Sequence, residues 1–86
     1  MKYIVANWKA HFSLEEVQKW LHDFSALPLN KCEGKVEIII CPPFPFLEAL
    51  SDRLYEPMIK IGAQDISQFT QGAHTGEVTA ETLSGL

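Results

Sequence analysis

The chain has 86 residues, a net charge of −4 at pH 7 and 47% hydrophobic residues. Domains commonly run to about 100–200 residues, so this length allows one domain or part of one. The acidic balance argues against a nucleic-acid-binding arm and against binding to an anionic membrane. The aliphatic runs are too short to span a bilayer and no signal-peptide core is evident, so we expect a soluble, cytoplasmic protein. Cys32 and Cys41 are too few for a disulfide scaffold and fit a reducing compartment.

Three short apolar runs alternate with two helical patterns. The runs are rich in β-branched residues and cover 3–6, 36–41 and 58–63. Strands that alternate with helices indicate βαβ units and therefore a parallel sheet. The continuous apolar sequence of the second run predicts a strand that is covered on both faces. A parallel sheet of only three strands has two unpaired edges, so we expect this chain to be part of a structure that closes.

A capping box and an apolar stripe predict the first helix. Ser13 and Glu16 have the spacing of a capping box, and Phe12 and Val17 occupy the two hydrophobic-staple positions around it. Pro28 is predicted to stop the helix, and 30–34 to form a loop. The apolar stripe recurs at helical spacing, at Leu14, Val17, Leu21 and Phe24.

The second helical pattern follows a proline-rich turn, in which Pro45 fits the first turn of a helix. Pro57 ends this unit before the third strand. Residues 65–78 show little periodicity and exceed the 2–6 residues typical of a strand-to-helix connection. Thr79 is predicted to cap a last short helix with Glu81 in its first turn. The stripe of the second helix consists of Leu47, Leu50 and Leu54.

Asn7 and Lys9 stand at the end of the first predicted strand. They are two residues apart, so strand alternation predicts both side chains on one side and Trp8 on the other. Ligands of parallel α/β sheets bind beyond the carboxyl ends of the strands. An amide and an ammonium there could hold a phosphate or a developing oxyanion. From spacing alone, a polar strand end with a solvated lysine explains the pattern equally well.

The other candidate residues predict neither a metal site nor covalent chemistry. The histidines show no ligand spacing, and the two cysteines do not form a CxxC pair. We expect His22 to be solvated on the first helix and Cys41 to be a small buried hydrophobic residue. Trp8 and Trp20 are predicted to pack in the interior.

The sequence GAHTGEV at 72–78 is the strongest loop signal. Gly72 and Gly76 allow tight backbone turns and flank a small tip at His74 and Thr75. Two interpretations are open: a mobile surface loop, and a tip that inserts into a partner.

Taken together, three motifs resemble the triosephosphate isomerase family: NWK at 7–9, GAQ at 62–64 and GAHTGEVT at 72–79. Their order and intervals match as well, and CPPFPFL at 41–47 is similar to the family's second strand-to-helix turn. The resemblance covers essentially the whole chain. It implies an α/β fold, the (β/α)8 TIM barrel, in which residues 1–86 are the N-terminal part of a single domain and supply its first three βα units.

The resemblance implies an isomerase that interconverts dihydroxyacetone phosphate and D-glyceraldehyde 3-phosphate. The reaction is a proton transfer through an enediolate, in glycolysis and gluconeogenesis, with no cofactor and no metal. By similarity, Asn7 contacts the substrate, and Lys9 supplies positive charge to the phosphate and the enediolate. The family's catalytic histidine and glutamate match no residue here and are expected beyond Leu86, so the 86 residues alone should be inactive.

The resemblance also implies a homodimer in which the 72–77 loop reaches into the second subunit. Ala10 and His11 replace the usual Met-Asn, and His74 replaces an aromatic residue, so we expect a drifted or weakened dimer. Histidine titrates near neutral pH, and protonation near pH 6 should loosen the contact further. The expected interface residues are His11, His74, Thr75, Gly76 and Glu77.

Two alternatives stay open. Exposed sheet edges favour a non-catalytic, self-associating barrel fragment or assembly module. A stand-alone flavodoxin-like domain that binds a small phosphate ligand is a weaker alternative, because no glycine-rich phosphate loop follows the first strand.

Overall fold

Strands and helices alternate along the chain in the order that the hydrophobic pattern predicts. The computed structural model describes residues 1–54 and 56–86. The strands are β1 (Lys2–Asn7), β2 (Val36–Cys41) and β3 (Ile59–Ile61). The helices are α1 (Leu14–Ser25), α2 (Leu47–Arg53) and α3 (Ala80–Leu83), with 3₁₀ turns at Leu29–Cys32 and Phe44–Phe46.

The three strands form a parallel sheet in the order β1-β2-β3, which confirms the predicted βα units. The register pairs Asn7 with Cys41, and Ile40 with both Ala6 and Ile61. The carboxyl ends of all three strands therefore lie at one edge of the sheet. Polar residues that follow the strands, such as Lys9 and Gln64, lie at that edge.

The core joins both longer helices to the second and third strands. Val17 and Leu21 come from α1, Leu50 from α2, and Ile40 from the centre of the sheet. Burial of such side chains removes apolar surface from water, at roughly 25 cal/mol per Å². The complete buried cluster is Trp8, Val17, Leu21, Ile40, Leu50, Met58 and Ile59.

The side chains of β1 are not buried to the same extent. Tyr3, Ile4 and Val5 are all exposed, and because consecutive strand residues point to opposite faces, both faces of β1 are open. In β2 only Ile40 is buried, so the prediction of a strand covered on both faces is met only in part. The radius of gyration is 14.2 Å, whereas a compact domain of this length would have about 12 Å. The described residues thus leave apolar sheet surface uncovered, as the sequence predicts for three strands.

α1 begins where the capping box predicts. The Ser13 hydroxyl accepts from the main-chain nitrogen of Glu16, and the Glu16 carboxylate accepts from that of Ser13 at 3.1 Å. The helix ends at Ser25, before Pro28 is reached. One stripe residue differs from the prediction: Leu14 is 56% exposed, because it precedes the turn of α1 that contacts the core at Val17.

Three further predictions need correction or refinement. The predicted 30–34 loop begins within the 3₁₀ turn Leu29–Cys32. β3 is shorter than the predicted 58–63, although the Gly62 amide still donates to Ile40. The predicted staple partner Phe12 packs its ring against Trp8 while Val17 is fully buried in the core. The cap of α3 at Thr79 is confirmed by its acceptance of a hydrogen bond from the Thr82 nitrogen.

Candidate active site

Lys9 lies in a turn just beyond the carboxyl end of β1. The strand ends at Asn7, and Lys9 has a φ of 54°, in the left-handed region. The side-chain oxygen of Asn7 accepts a hydrogen bond from the Lys9 main-chain nitrogen at 2.8 Å. As predicted, Trp8 is buried while Asn7 and Lys9 are exposed. The cause differs from the prediction, because this turn, and not strand alternation, sets the position of Lys9.

Gln64 also makes a hydrogen bond to the turn. Its side-chain nitrogen donates to the Lys9 carbonyl oxygen at 2.8 Å and to the Cys41 carbonyl oxygen at 2.9 Å. The Cys41 carbonyl oxygen also accepts from the Trp8 nitrogen at 3.0 Å. A primary amide has two N–H donors, so this one group satisfies two main-chain acceptors at once. The ends of β1 and β2 are thereby joined by a residue that follows β3.

The sequence interpretation assigned no role to Gln64 beyond its place in a motif. The bonded residues are 55 and 23 positions away, so no local pattern reveals the contact. The one signal for this contact was a polar amide soon after a predicted strand, at the edge where the strands end.

A row of four aromatic rings begins beside the turn. The Phe12 and Trp8 rings meet edge-on with centroids 4.7 Å apart, and Trp8 meets Trp20 edge-on at 4.9 Å. Trp20 in turn stacks on Phe24 at 4.5 Å. The prediction that both tryptophans pack in the interior is confirmed for Trp8, which is buried, and Trp20 is partly buried.

A cavity of about 390 Å³ opens beside the Lys9 turn. His11 lines it, so this predicted interface residue lies next to the candidate site. Glu16 also lines it, but its carboxylate accepts from the Ser13 nitrogen and hydroxyl and so belongs to the helix cap. The full lining is Asn7, Trp8, His11, Phe12 and Glu16.

The loop between β3 and α3 has a defined conformation. The Ser67 nitrogen donates to the Val78 carbonyl at 2.8 Å and closes the base of the loop. The Phe69 and His74 rings stack with centroids 4.1 Å apart and planes 5° apart. Of the two glycines predicted to make tight turns, Gly76 has a φ of 84°, whereas Gly72 does not have a positive φ.

The loop and the Lys9 turn form two separate groups. Thr75, Gly76 and Glu77 are exposed at the tip. Among the hydrogen bonds and ring contacts of residues 1–54 and 56–86, none joins 74–77 to Asn7 or Lys9. The structure thus brings the substrate-site candidates together with Gln64 and His11, and places the remaining interface candidates elsewhere.

The remaining candidates take ordinary positions. His22 is exposed on α1, as predicted, and Cys32 is exposed. Cys41 was predicted to be buried but is only half-buried at the end of β2. Within the part of the chain that the structure describes, no group of three or more histidine, cysteine, aspartate or glutamate residues could hold a metal ion. The helices of that same part are too short and too polar to cross a membrane.

The family model for triosephosphate isomerase matches residues 2–86. The chain belongs to the triosephosphate isomerase family. Its parallel strands and alternating helices agree with the first βα units of the TIM barrel, the fold of that family. The fold class predicted from the sequence motifs is therefore confirmed.

Relatives named triosephosphate isomerase match nearly the whole chain. The protein of Hahella chejuensis is 38% identical over 99% of this chain and 33% of its own length. That of Symbiobacterium thermophilum is 41% identical over 93% of this chain and 30% of its own length. That of Dictyoglomus thermophilum is 38% identical over 99% of this chain and 33% of its own length. The chain spans about a third of the length of the curated relatives it matches.

Proposed function

We propose that the protein containing this chain is a triosephosphate isomerase, which interconverts dihydroxyacetone phosphate and D-glyceraldehyde 3-phosphate in glycolysis and gluconeogenesis. Membership of the family supports this function. The observation that carries it is the Lys9 turn, which is fixed by Asn7 and Gln64 at the carboxyl edge of the sheet. Residues 1–86 would form the N-terminal part of a single TIM-barrel domain.

Asn7 and Lys9 would bind the substrate. The side-chain oxygen of Asn7 is already bonded to the Lys9 nitrogen, which directs its amide NH₂ group to act as a donor toward the ligand. The Lys9 ammonium is exposed at the same edge and would stabilise the negative charge of the phosphate and of the enediolate. A turn held before the substrate arrives needs little reorganisation in the transition state.

The remaining chemical roles fall outside this segment. The family's proton-transferring glutamate and its carbonyl-polarising histidine match no motif in residues 1–86. We assign both to a part of the protein outside these residues. The proposed reaction uses neither a cofactor nor a metal, and we place the protein in the cytoplasm with no nucleic-acid or membrane partner.

We further propose a homodimer in which the 72–77 loop enters a second subunit. The stacked Phe69 and His74 rings restrain the loop, the tip residues are exposed, and among the described residues no hydrogen bond or ring contact joins the tip to Asn7 or Lys9. In this arrangement Thr75 would approach the partner's site. His11 lines the cavity beside Lys9 and would be part of the surface that receives the tip.

The substitution Lys9→Ala in the complete enzyme tests the proposed function. We expect kcat/KM to fall by more than about a hundredfold, because a preorganised charge is lost, while the circular dichroism spectrum and the melting temperature stay unchanged. Lys19→Ala is the matched control: Lys19 is an exposed lysine on α1 whose ion pair with Asp23, at 3.7 Å, has little effect on stability. Near-normal turnover by Lys9→Ala would overturn the assignment.

A second candidate function is a non-catalytic, self-associating module. It is favoured by the open faces of β1, where Tyr3, Ile4 and Val5 are exposed. Sedimentation of the 86-residue chain tests the second candidate. A stable oligomer without isomerase activity would support the module, and a well-folded monomer would argue against it.

A further inference from the structure

The backbone of Phe12 adopts an unusual conformation next to the candidate site. Its φ is 78°, and Lys9 at the start of the same turn has a φ of 54°. For a bulky residue the left-handed region is an outlier, which persists only where surrounding contacts determine it. The turn from Trp8 to His11, which carries Lys9, is closed by the His11 nitrogen, which donates to the Trp8 carbonyl oxygen at 3.2 Å.

The ring of Phe12 packs against a buried aromatic neighbour. It meets the Trp8 ring edge-on at 4.7 Å, a favourable geometry for aromatic pairs. Trp8 is buried and is itself held edge-on by Trp20 of α1 at 4.9 Å. Phe12 is therefore anchored to the interior although its own side chain is 39% exposed.

Phe12 lies close to Lys9 in the chain, so its contact with Trp8 bears on the position of Lys9. The next residue, Ser13, is fixed by the capping box at the start of α1. Asn7 is fixed at the end of β1, where it accepts from the Lys9 nitrogen. The short turn between these two fixed points carries Lys9, and Phe12, with its left-handed backbone, lies where the turn enters the helix.

We propose that Phe12 is a positioning residue, which holds the Lys9 turn in the geometry required for catalysis through its contact with Trp8. This inference rests on the proposed function of Lys9. Loss of the ring would allow the backbone at Phe12 to relax toward the common region of φ, and the Lys9 ammonium would move with it. Misplacement of a catalytic group by about 1 Å can cost roughly a hundredfold in rate.

Three substitutions at Phe12 distinguish the effect of the aromatic ring from the effect of the backbone conformation. Phe12→Ala removes the ring, and Phe12→Gly removes it while tolerating a positive φ. We expect both to lower kcat of the complete enzyme by about 10- to 100-fold, whereas Phe12→Tyr keeps the ring and stays within about twofold of the parent. Phe24→Ala is the control: it removes a ring from the far end of the same aromatic row, and should lower the melting temperature without lowering kcat. Equal kcat in Phe12→Ala and the parent would overturn the proposal.

A double-substitution cycle distinguishes failure of this inference from failure of the proposed function. The affinity for inorganic phosphate is measured for the parent, Phe12→Ala, Lys9→Met and the pair. If Phe12 acts through Lys9, both single changes weaken binding and Phe12→Ala adds less than about twofold in the Lys9→Met background. Independent, multiplying effects would overturn the positioning role alone. Unchanged binding and turnover in Lys9→Met would overturn the function proposed for Lys9, and the inference with it.

Discussion

The side-chain amide of Gln64 donates to the carbonyl oxygen of Lys9 at 2.8 Å, although 55 positions separate the two residues in the sequence. The same nitrogen donates to the Cys41 carbonyl oxygen at 2.9 Å. Both acceptors belong to the main chain, so Gln64 restrains the path of the backbone around the site and leaves the side chain of Lys9 free to meet a ligand.

We predict that Gln64→Glu destabilises the protein by about 1–3 kcal/mol, because two hydrogen bonds, each worth about 0.5–1.5 kcal/mol, are lost. A carboxylate has the same shape as the amide but only accepts hydrogen bonds, so it would face two carbonyl oxygens without a donor. Urea denaturation at pH 8, where a glutamate is ionised, measures the change. Gln18→Glu, at an exposed position of α1, is the matched control and should shift the free energy of unfolding by less than about 0.5 kcal/mol. Equal shifts in both variants would show that the amide bridge does not restrain the turn.

Leu50 gives a second prediction, on the core beneath the sheet. Its side chain is fully buried between α2 and the strands, so Leu50→Ala should lower the free energy of unfolding by about 2–5 kcal/mol through lost burial and a residual cavity. Leu14→Ala removes the same atoms from an exposed helix position and should change it by less than about 0.5 kcal/mol. Thermal denaturation followed by circular dichroism ranks the two variants. A Leu14→Ala loss as large as that of Leu50→Ala would contradict the burial described above.

Gly62 gives a third prediction, on the close approach of the chain after β3 to the end of β2. A Cβ added at Gly62 would lie 3.0 Å from the Cys41 sulfur and 3.4 Å from Ile39 Cγ2. Gly62→Ala should therefore cost about 1–3 kcal/mol of stability from overpacking. Gly85→Ala is the control, because a Cβ at Gly85 meets nothing within 4 Å.

The same contact can be tested by relief of the crowding. Cys41→Ala shortens the side chain that the new Cβ would meet, so the cost of Gly62→Ala should be smaller in the Cys41→Ala background. Chemical denaturation of the four proteins gives the coupling between the two positions. Strictly additive losses would place the strain of Gly62→Ala elsewhere than at Cys41.

Features that depend on neighbouring residues were predicted well from the sequence. The strand Val36–Cys41 was predicted at its observed bounds, because a continuous β-branched run carries its own signal. The start of α1 was predicted because Ser13 and Glu16 interact within one turn of each other. The motif resemblance added the fold family, which no periodicity in three βα units could specify.

Features that depend on distant residues or on backbone strain were missed. The role of Gln64 arises only when the ends of β1 and β2 are already side by side. The positive φ of Phe12 could not be predicted, because a phenylalanine carries no preference for that region. Leu14 has helical spacing but is exposed. Periodicity shows which face of a helix is apolar, but not how much of that face is packed against the rest of the protein.

The spatial order of the strands is also their order along the chain, and this affects how the sheet can form. β2 pairs with β1, and β3 pairs with β2, so each strand finds its partner in the unit made immediately before it. As the chain leaves the ribosome, the edge that β2 needs emerges before β2 does, and the same holds for β3. The sheet can therefore grow strand by strand at the pace of translation, and Gln64, which arrives after β3, closes the Lys9 turn as the last step of that sequence.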